Sequence, residues 1–582
     1  MAANSSSRAT YLSRRDVALQ AAMAVDDIQV LIIGGGINGA ATFRDLALQG
    51  VQALIIDRLD WGAGASMASS RMAHGGLRYL ENGEFRLTAE ATRERNYLLS
   101  NVPHMIRPLP MAIPLFSLSG GLWTALKRLI GVKAAFKERG LIMVEVGLCI
   151  YDWFGRRNRS MPLHHALFKK VHEVFPEFHP AVRAAAIYYD AVIDAPERIT
   201  LELISDGLAA CPTSIALNRC TLAGIEEGRV RLYDRVGGQH FSLRPQLVLN
   251  AAGAWIDMVN RGLKAGKPLM GGTKGSHLVI DHVQLFEALS GHGMIFDDGN
   301  GRVCIIYPLQ APGWEKGKVL LGSTDIPVVD PDEAHCTDAE QDYLLKAIRV
   351  VFPAVDVGPE DVIFRFCGVR PLPCSDAATP GAVTRDHSLS AFEAEGARHF
   401  PILSLVGGKW TTFRAFAAEV CDVALARLED KRHIDTHSLP IGGGYGLTPG
   451  DGVQGYAEDL TRQWGLQPRY ANALVNRYGH CAADVVAFLA EGPDQPLPGA
   501  PFYTEREIRR LARFEMAVGV DDVIFRRTTL ALQGLLSTDL LRRIAEILAE
   551  ENNQNEAESQ KHLAQLIADL QEHHAVRGLS LP

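Results

Sequence analysis

Three glycines near the amino terminus have the spacing of a nucleotide-binding turn. They form Gly34-x-Gly36-x-x-Gly39, directly after an apolar, strand-like segment at 28–33 and at the start of a helix-like segment. Glycines at these positions allow a tight turn, close approach of the backbone to a pyrophosphate and close helix–strand packing, and the helix amino terminus then faces the phosphates. Asp57 ends the next apolar segment, where a carboxylate can bind a ribose hydroxyl. The pattern predicts a βαβ unit that binds a dinucleotide.

Two further strand-then-glycine segments favour FAD over a nicotinamide dinucleotide. They are Asn250-Ala-Ala-Gly253 and Val406-Gly-Gly408, far along the chain from the first turn. FAD is long and needs contacts from distant parts of the chain at its adenine and isoalloxazine ends, whereas a nicotinamide dinucleotide is usually bound within one contiguous unit. We therefore predict FAD, with Gly253, Gly408, Thr411 and Thr412 among its contacts.

The segment 66–80, SMASSRMAHGGLRYL, concentrates hydroxyl groups, a histidine and paired glycines. Serine hydroxyls can donate to phosphate or ribitol oxygens, and paired glycines let the backbone approach a flavin. The cofactor contacts predicted in this segment are Ser66, Ser69, Ser70, His74 and Gly75. The alternative is a helix whose small residues pack against the first helix, with His74 as a buried structural histidine.

The surrounding elements predict an α/β chain with a separate helical region. Residues 247–253 and 403–408 are expected to be buried parallel strands, and 274–330 to form antiparallel strands that cover a substrate. Beyond a glycine-rich segment the sequence has helical periodicity, interrupted by the proline-rich loop 492–501. The predicted organisation is a disordered or surface tail at 1–27, interleaved FAD-binding and substrate-binding domains at 28–440, a linker at 441–452, a helical cap domain at 453–550 and a polar tail at 551–582.

Composition excludes several classes of protein. The chain has 582 residues, 47% of them hydrophobic and 22% charged, with a net charge of −8, which argues against a nucleic-acid-binding protein with a global basic field. Nine cysteines include no CxxC pair, so neither a disulfide framework nor a Cys-rich zinc site is expected, and no metal site is predicted. A transmembrane helix is not expected, because no apolar stretch of about 20 residues occurs.

Several motifs together resemble one enzyme family, the FAD-dependent glycerol-3-phosphate dehydrogenases of the aerobic, quinone-linked type. In chain order these are SSRMAHGGLRYLENGEFRL (69–87), KGSHLVI (274–280), LGSTD (321–325), GVRPL (368–372), TRD (384–386), GGKWTTFR (407–414) and FEMAVGVDDVIFRRTTLAL (514–532). The sequence departs from the family at Arg71, where lysine is usual, and at Asp57, where glutamate is common. The resemblance implies a Rossmann-like FAD-binding domain, an antiparallel-sheet substrate domain of the glutathione-reductase/D-amino-acid-oxidase type, and an all-α carboxyl-terminal domain.

The resemblance also implies a substrate site. Arg78, Arg370, Arg385 and Lys409 are expected to bind a phosphorylated substrate, since guanidinium and ammonium groups suit a phosphate dianion. The expected reaction removes the proton of the C2 hydroxyl of glycerol 3-phosphate and transfers a hydride from C2 to flavin N5. His277, Arg370 and Arg78 are the candidate catalytic residues, and Thr324 is a further candidate substrate contact. The proton acceptor is left open between His277 and other groups, and each basic residue could instead pair with a local acid such as Asp376 or Asp386.

The segment 122–137 is expected to meet the electron acceptor. It places Trp123, Leu126 and Ile130 on one face with lysines and an arginine beside them, as in an interfacial amphipathic helix, although a core-packed helix with basic outer residues has the same pattern. The resemblance implies a peripheral enzyme at the cytoplasmic face of the inner membrane, with a cytoplasmic protein as the fallback, a quinone as acceptor and a homodimer. The alternatives are another polyol phosphate such as erythritol phosphate, an oxidase that uses O₂, and a non-catalytic FAD-binding scaffold.

Overall fold

The computed structural model describes residues 15–81, 83–120, 140–157, 161–298, 302–312, 314–374 and 386–580. The strands are, in chain order, β1 (Asp27–Ile33), β2 (Ala53–Ile56), β3 (Met72–Ala73), β4 (Ile106–Leu115), β5 (His165–Leu167), β6 (Ala184–Ile193), β7 (Ile215–Leu217), β8 (Cys220–Glu226), β9 (Arg229–Asp234), β10 (His240–Asn250), β11 (Thr273–Asp281), β12 (Gly293–Asp297), β13 (Val303–Pro308), β14 (Lys318–Gly322), β15 (Ile326–Pro327), β16 (Val362–Arg370), β17 (His387–Phe392), β18 (Ile402–Gly407), β19 (Pro496–Leu497) and β20 (Ala500–Thr504). The α-helices are α1 (Arg15–Ala24), α2 (Ile37–Leu48), α3 (Leu77–Glu81), α4 (Phe85–Asn101), α5 (Leu141–Phe154), α6 (Val171–Val174), α7 (Pro196–Ala210), α8 (Ile256–Gly262), α9 (Val283–Ala288), α10 (Asp338–Val351), α11 (Phe413–Arg427), α12 (Asp451–Trp464), α13 (Pro468–Tyr478), α14 (Ala482–Leu489), α15 (Glu505–Glu515), α16 (Val520–Asp522), α17 (Thr538–Asn552) and α18 (Glu556–His573).

The first sheet carries the nucleotide-binding turn. Its strand order is β17-β18-β10-β1-β2-β7, and the β8–β9 hairpin extends it beside β10. The strands β18, β10, β1, β2 and β7 are parallel to their neighbours along this path, while β17 is antiparallel to β18. The interior strands β1 and β2 are nearly continuous apolar segments, as expected of parallel strands buried on both faces. The predicted βαβ unit is confirmed as β1, α2 and β2.

The second sheet is predominantly antiparallel. Its order is β15-β11-β14-β13-β12-β4-β6-β3, with β16 also paired to β11 and β5 to β6. β11 lies between β14 and β16 and places His277 directly opposite Gly322 on one side and Phe366 on the other. This confirms the antiparallel-sheet domain expected from the sequence.

The carboxyl-terminal region is helical and shares a core with the second sheet. Buried Leu511, Ile524 and Leu540 belong to the same apolar cluster as Phe364 and Phe366 of β16. The region predicted as the proline-rich loop 492–501 instead begins an antiparallel hairpin, β19–β20. The domain is therefore helical with one small hairpin, because backbone pairing satisfies a segment whose prolines prevent a helix.

Two terminal segments differ from their predicted character. The segment 551–582 was expected to be a polar tail, but α18 occupies much of it and buries Leu563, Ile567 and Leu570 in the helical core. The residues at i, i+4 and i+7 form one apolar stripe within a Gln- and Glu-rich sequence, and that stripe decides the packing. In the predicted amino-terminal tail, α1 packs Leu19 and the neighbouring alanines against the first sheet. Within the described ranges, the helices are too short or too polar to cross a membrane.

Candidate active site

The glycine turn between β1 and α2 has room for backbone only. Gly34 has a φ of +112°, and a Cβ there would lie 2.5 Å from the carbonyl oxygen of Ala251. A Cβ on Gly39 would lie 1.9 Å from the carbonyl oxygen of Gly34. Gly36 begins α2 without a capping side chain, so the helix amino terminus is presented by backbone alone. Backbone N–H groups at such a terminus favour an anion.

The loop after β2 closes over this turn. The Asp57 carboxylate accepts hydrogen bonds from the backbone N–H of Gly35 at 2.7 Å and of Leu59 at 2.8 Å. Burial raises the pKa of Asp57 above its ordinary value. The Ser66 hydroxyl oxygen accepts a hydrogen bond from the backbone N–H of Ile37 at 2.9 Å. Both residues therefore lie at the turn, Asp57 beside Gly35 and Ser66 at the start of α2.

Segments far apart in sequence come together beside the turn. The Ser70 hydroxyl lies 2.8 Å from Nε2 of His277. The backbone N–H of His74 donates to Oγ1 of Thr411 at 3.1 Å. A Cβ on Gly408 would lie 2.9 Å from Nδ2 of Asn38. The glycine turn, the 66–76 segment, β11 and the 408–412 segment are thus neighbours, and we call the region between them the groove.

The polar atoms of this groove fit an extended dinucleotide. Among the residues that the structure describes, Oδ1 of Asn38, Nε1 of Trp410 and Oγ1 of Thr412 are buried without a hydrogen-bond partner. Gly253 has a φ of +58° and leaves open space where a Cβ would stand. Buried polar atoms are rarely left unpaired, so a ligand that supplies hydrogen bonds along the groove accounts for them. The Ser69 hydroxyl oxygen accepts a hydrogen bond from the backbone N–H of Arg71 at 3.1 Å, and its predicted contact with the cofactor stays a prediction.

His277 is buried in the middle of β11 and is neutral. Its ring stacks on Phe366 with centroids 5.0 Å apart, and Nε2 is held by Ser70. Burial, reinforced by the positive charge of Arg370, lowers the pKa of His277 to about 3. A neutral imidazole keeps a lone pair that can accept a proton.

Arg370, at the end of β16, is held in a fixed orientation beside His277. It donates to Oδ1 of Asp325 at 3.0 Å, to the Ser323 hydroxyl at 2.8 Å and to the carbonyl oxygen of Thr324 at 3.0 Å. A Cβ on Gly275 would lie 2.1 Å from the guanidinium, so only glycine at this position of β11 lets the side chain cross the strand. The Arg370 side chain is about one-fifth exposed. It is thus anchored on one side and accessible to a ligand.

Of the other three cations predicted to bind the phosphate, the structure describes the side chain of Lys409. Nζ of Lys409 lies 3.5 Å from the centre of the Tyr79 ring, and that ring neighbours His74. Lys409 therefore faces the 66–80 segment, and its predicted role in phosphate binding stays a prediction. The side chain of Arg78 and the whole of Arg385 lie outside the described residues.

Glu340 of α10 is a buried residue that sequence reasoning did not identify. It accepts hydrogen bonds from the hydroxyls of Thr324 at 2.7 Å and Ser276 at 2.8 Å, and it pairs with Nζ of Lys274 at 2.7 Å. Thr324 is itself buried, and its hydroxyl also accepts from the backbone N–H of Ser276 at 2.9 Å. The Thr324 hydroxyl is therefore committed to protein partners. We assign it a positioning role, in place of the substrate contact expected from the sequence.

Substituting Glu340 should loosen the loop that anchors Arg370. Although burial disfavours its charge, hydrogen bonds from Lys274, Thr324 and Ser276 lower the pKa of Glu340 to about 2. The Glu340 carboxylate therefore stabilises the fold fully at pH values above the ordinary pKa of a carboxyl group. That stabilisation is lost as the pH falls towards 2. Glu340→Gln should lower the free energy of unfolding by about 1–3 kcal/mol at neutral pH. In the variant, the free energy of unfolding should also fall less steeply as the pH is lowered. Urea denaturation at several pH values measures both effects.

The exposed Glu333 offers a matched control for this prediction. Glu333→Gln should leave both the stability at neutral pH and its fall at low pH unchanged. Equal stabilities for Glu340→Gln and the unsubstituted chain would contradict the role given to Glu340.

A second cluster that the sequence did not predict, on α4, α5 and β6, fixes the backbone of Gly75. The Gly75 backbone N–H donates to the Tyr151 hydroxyl at 2.8 Å and to Oδ1 of Asp190 at 3.0 Å. Arg95 pairs with the same Asp190 at 2.8 Å. Burial and the Asp190 charge raise the pKa of Tyr151 well above its ordinary value, so the phenol stays protonated as a donor. Gly75 is therefore fixed by α4, α5 and β6 together.

The comparisons with known proteins agree with this geometry. A family model described as FAD dependent oxidoreductase matches residues 29–414, more than half of the chain. The chain belongs to this family of FAD-dependent oxidoreductases. A model described as the C-terminal domain of alpha-glycerophosphate oxidase matches residues 434–559. The chain is thus an FAD-dependent enzyme, and the predicted cofactor is confirmed.

Relatives over most of the chain are consistent with the resemblance found from the motifs. The chain is 30% identical over 534 residues to a glycerol-3-phosphate dehydrogenase of Synechocystis, covering 86% of this chain and 89% of the relative. It is also 30% identical to a D-erythritol 1-phosphate dehydrogenase of Brucella abortus, covering 86% and 93%. A glycerol-3-phosphate dehydrogenase of Bacillus halodurans, solved with FAD, has the same fold with a TM-score of 0.73 at 22% identity, covering 96% and 98%. The predicted family and fold class are confirmed.

Proposed function

We propose that this flavoenzyme oxidises sn-glycerol 3-phosphate to dihydroxyacetone phosphate and passes the electrons to a quinone. The observation that carries the proposal is a fixed guanidinium, Arg370, beside a neutral imidazole, His277, at the FAD-binding groove. Bound FAD supplies a hydride acceptor at flavin N5. The relatives named glycerol-3-phosphate dehydrogenase support this choice of substrate.

The side chains have separate roles in this proposal. Arg370 binds the substrate and stabilises negative charge that develops on the C2 oxygen as the hydroxyl proton leaves. Lys409, and by resemblance Arg78 and Arg385, contribute to binding of the phosphate dianion. His277 accepts the hydroxyl proton. Because a bound dianion favours the imidazolium, substrate binding raises the pKa of His277 towards the range useful for a base.

A dye-reduction assay on the FAD-loaded enzyme tests the substrate. It compares glycerol 3-phosphate, D-erythritol 1-phosphate and unphosphorylated glycerol with dichlorophenolindophenol as acceptor, and it follows peroxide in parallel. Rapid dye reduction with glycerol 3-phosphate alone, without peroxide, is expected. Preference for the erythritol phosphate would transfer the assignment to the second candidate, which the Brucella relative favours at equal identity. Peroxide formation would make O₂ the acceptor, and the absence of turnover despite bound flavin would defeat the proposal.

The proposed electron transfer to a quinone requires a surface of the protein that binds a membrane. The predicted amphipathic segment 122–137 lies outside the described residues, but α5, a little further along the chain, carries a relevant face. Apart from Glu145 and Asp152, this helix is apolar, and its buried residues are Leu148 and Tyr151. Ile142, Val146 and Trp153 on its outer face are each more than half exposed.

One basic group, Arg156, borders this apolar face of α5, and two lysines lie a little further along the chain. Arg156 stacks over the Trp153 ring at 4.8 Å, and Lys169 and Lys170 follow the exposed Phe168. Exposed apolar side chains beside cations are typical of a surface that binds anionic lipid. We place the membrane contact here, at the cytoplasmic face of the inner membrane; the homodimer expected from the resemblance remains a prediction.

Val146→Glu should weaken binding to vesicles of phosphatidylethanolamine and phosphatidylglycerol by about tenfold, because a carboxylate replaces an apolar anchor beside anionic lipid. Cosedimentation measures the bound fraction. Val283→Glu is the matched control, since Val283 is an equally exposed valine on α9. Dye reduction in detergent should be the same for both variants. Equal vesicle binding by the two variants would contradict the assignment of α5 as the membrane contact.

A further inference from the structure

Asp60, in the loop that follows β2, is a buried carboxylate bound by two arginines from the carboxyl-terminal domain. Nη1 and Nη2 of Arg527 donate to its two oxygens at 2.5 and 3.0 Å. Nε of Arg526 donates to Oδ2 at 2.8 Å, and Nδ2 of Asn218 donates to Oδ1 at 2.8 Å. Asp60 and Arg527 are both fully buried.

The loop that contains Asp60 is also a wall of the FAD-binding turn. Asp57 and Ser66, near its two ends, bind the backbone at Gly35 and Ile37. Between them, the backbone N–H of Gly62 donates to the Gly35 carbonyl at 2.9 Å, and the buried Trp61 ring packs directly against Gly35. A displacement at Asp60 would therefore move the groups that face the ribose and the pyrophosphate.

The two arginines are themselves fixed within the carboxyl-terminal domain. They end a π-helical turn, Val523–Arg527, and such turns are uncommon and frequent at functional sites. Nη2 of Arg526 donates to Asp522 at 2.5 Å, and Nη2 of Arg527 donates to the Glu515 carbonyl at 2.5 Å. The cations have little freedom to follow Asp60 if the loop moves.

We propose that the carboxyl-terminal domain acts as a clamp on the FAD-binding loop, through the ion pairs of Asp60 with Arg526 and Arg527. A buried ion pair contributes little net stability, but its geometry selects one arrangement of the elements that it joins. Arg526, Arg527 and Asp60 are positioning residues that act through Asp57, Trp61 and Ser66. Coupling between two sites is reciprocal, so FAD that orders the loop must also order the π-helical turn.

Hydrogen exchange on the full chain, with and without saturating FAD, tests the reciprocal effect. Amides of 515–528 should exchange more slowly with FAD bound. Those of α12, which belongs to a separate apolar cluster of the same domain, should not change. Unchanged exchange at 515–528, with protection confined to the first sheet and the loop, would overturn the proposal.

Substitutions test the forward effect on FAD affinity. Arg527→Lys keeps the charge but loses the bidentate contact, and Asp60→Asn keeps the shape but loses the charge. Each should raise the Kd for FAD, measured by flavin fluorescence, by about tenfold. Glu507→Gln is the control, because Glu507 is a fully buried carboxylate of the same domain that pairs with Arg477 at 3.0 Å and does not contact Asp60.

The control should lower the melting temperature without changing the Kd for FAD. If Glu507→Gln weakens FAD binding as much as Arg527→Lys does, the effect is general destabilisation and the clamp is refuted. If Asp60→Asn does not fold, Arg527→Lys and the exchange experiment still decide. None of these measurements depends on which substrate the enzyme oxidises.

Discussion

Replacing Arg370 by glutamine is expected to lower kcat/KM for the phosphorylated substrate by about 10³-fold, with FAD still bound. The guanidinium is anchored by Asp325, Ser323 and the Thr324 carbonyl, so in the proposed site it is held in place before the substrate binds. Glutamine removes the charge and shortens the side chain. Steady-state dye reduction at several substrate concentrations measures the change, and flavin absorbance confirms that the cofactor content is equal.

A second variant of Arg370 tests whether the anchored guanidinium is required or a positive charge is enough, and a surface arginine provides the control. Arg370→Lys keeps a positive charge but cannot contact the three anchors in the same way, so an intermediate loss is expected. Arg349→Gln removes an exposed arginine of α10 that pairs with Asp356 at the surface, and it should leave kcat/KM unchanged. An Arg370→Gln enzyme as active as the Arg349→Gln control would remove Arg370 from the proposed site.

The FAD-binding part of the site could be predicted because its signals are local. Gly34, Gly36 and Gly39 are close together, and Asp57 ends the next strand, so a short window contains the whole βαβ unit. His277 and Arg370 were identified through motifs that resemble a known family. Their proximity follows from strand pairing between β11 and β16, which the sequence alone does not specify.

Residues that act over long sequence separations were missed for a physical reason. Glu340 has a local signature, since Thr337 and Glu340 form a capping box at the start of α10. That signature predicts a helix terminus and gives no indication that the same carboxylate binds Thr324 and Ser276. Asp60 and Arg527 are 467 residues apart, and the sequence around each gives no indication that it is a buried, paired charge instead of an ordinary surface charge.

Composition misled where a minority of residues decides the packing. The Gln- and Glu-rich character of 551–582 predicted a solvated tail, although three apolar residues on one face of α18 are enough to dock it. At Thr324 the motif was correctly located and its role was not, because a hydroxyl at a turn can serve a ligand or a neighbouring carboxylate equally well. Only the burial of Thr324 and its hydrogen bond to Glu340 distinguish the two.

Replacing His277 by asparagine is expected to lower kcat by about 10²–10³-fold, because the proposed proton acceptor is removed. The KM for substrate should change much less, since the cations proposed to bind the phosphate remain. Ser70→Ala is the companion variant, because the Ser70 hydroxyl holds Nε2 of the ring at 2.8 Å. Its loss should be smaller, since the imidazole keeps its stacking on Phe366.

The pH dependence separates a neutral buried histidine from an ordinary one. Because burial lowers the pKa of His277 to about 3, the free enzyme carries a neutral imidazole above that pH, and protonation removes the base only below it. The profile of kcat/KM reports groups of the free enzyme, so no acid limb near pH 6.5 should arise from His277. Any limb found there should persist in His277→Asn. A limb near 6.5 that disappears in His277→Asn would show that the imidazole is solvated in the free enzyme, and the buried, Arg370-facing placement of the base would be wrong.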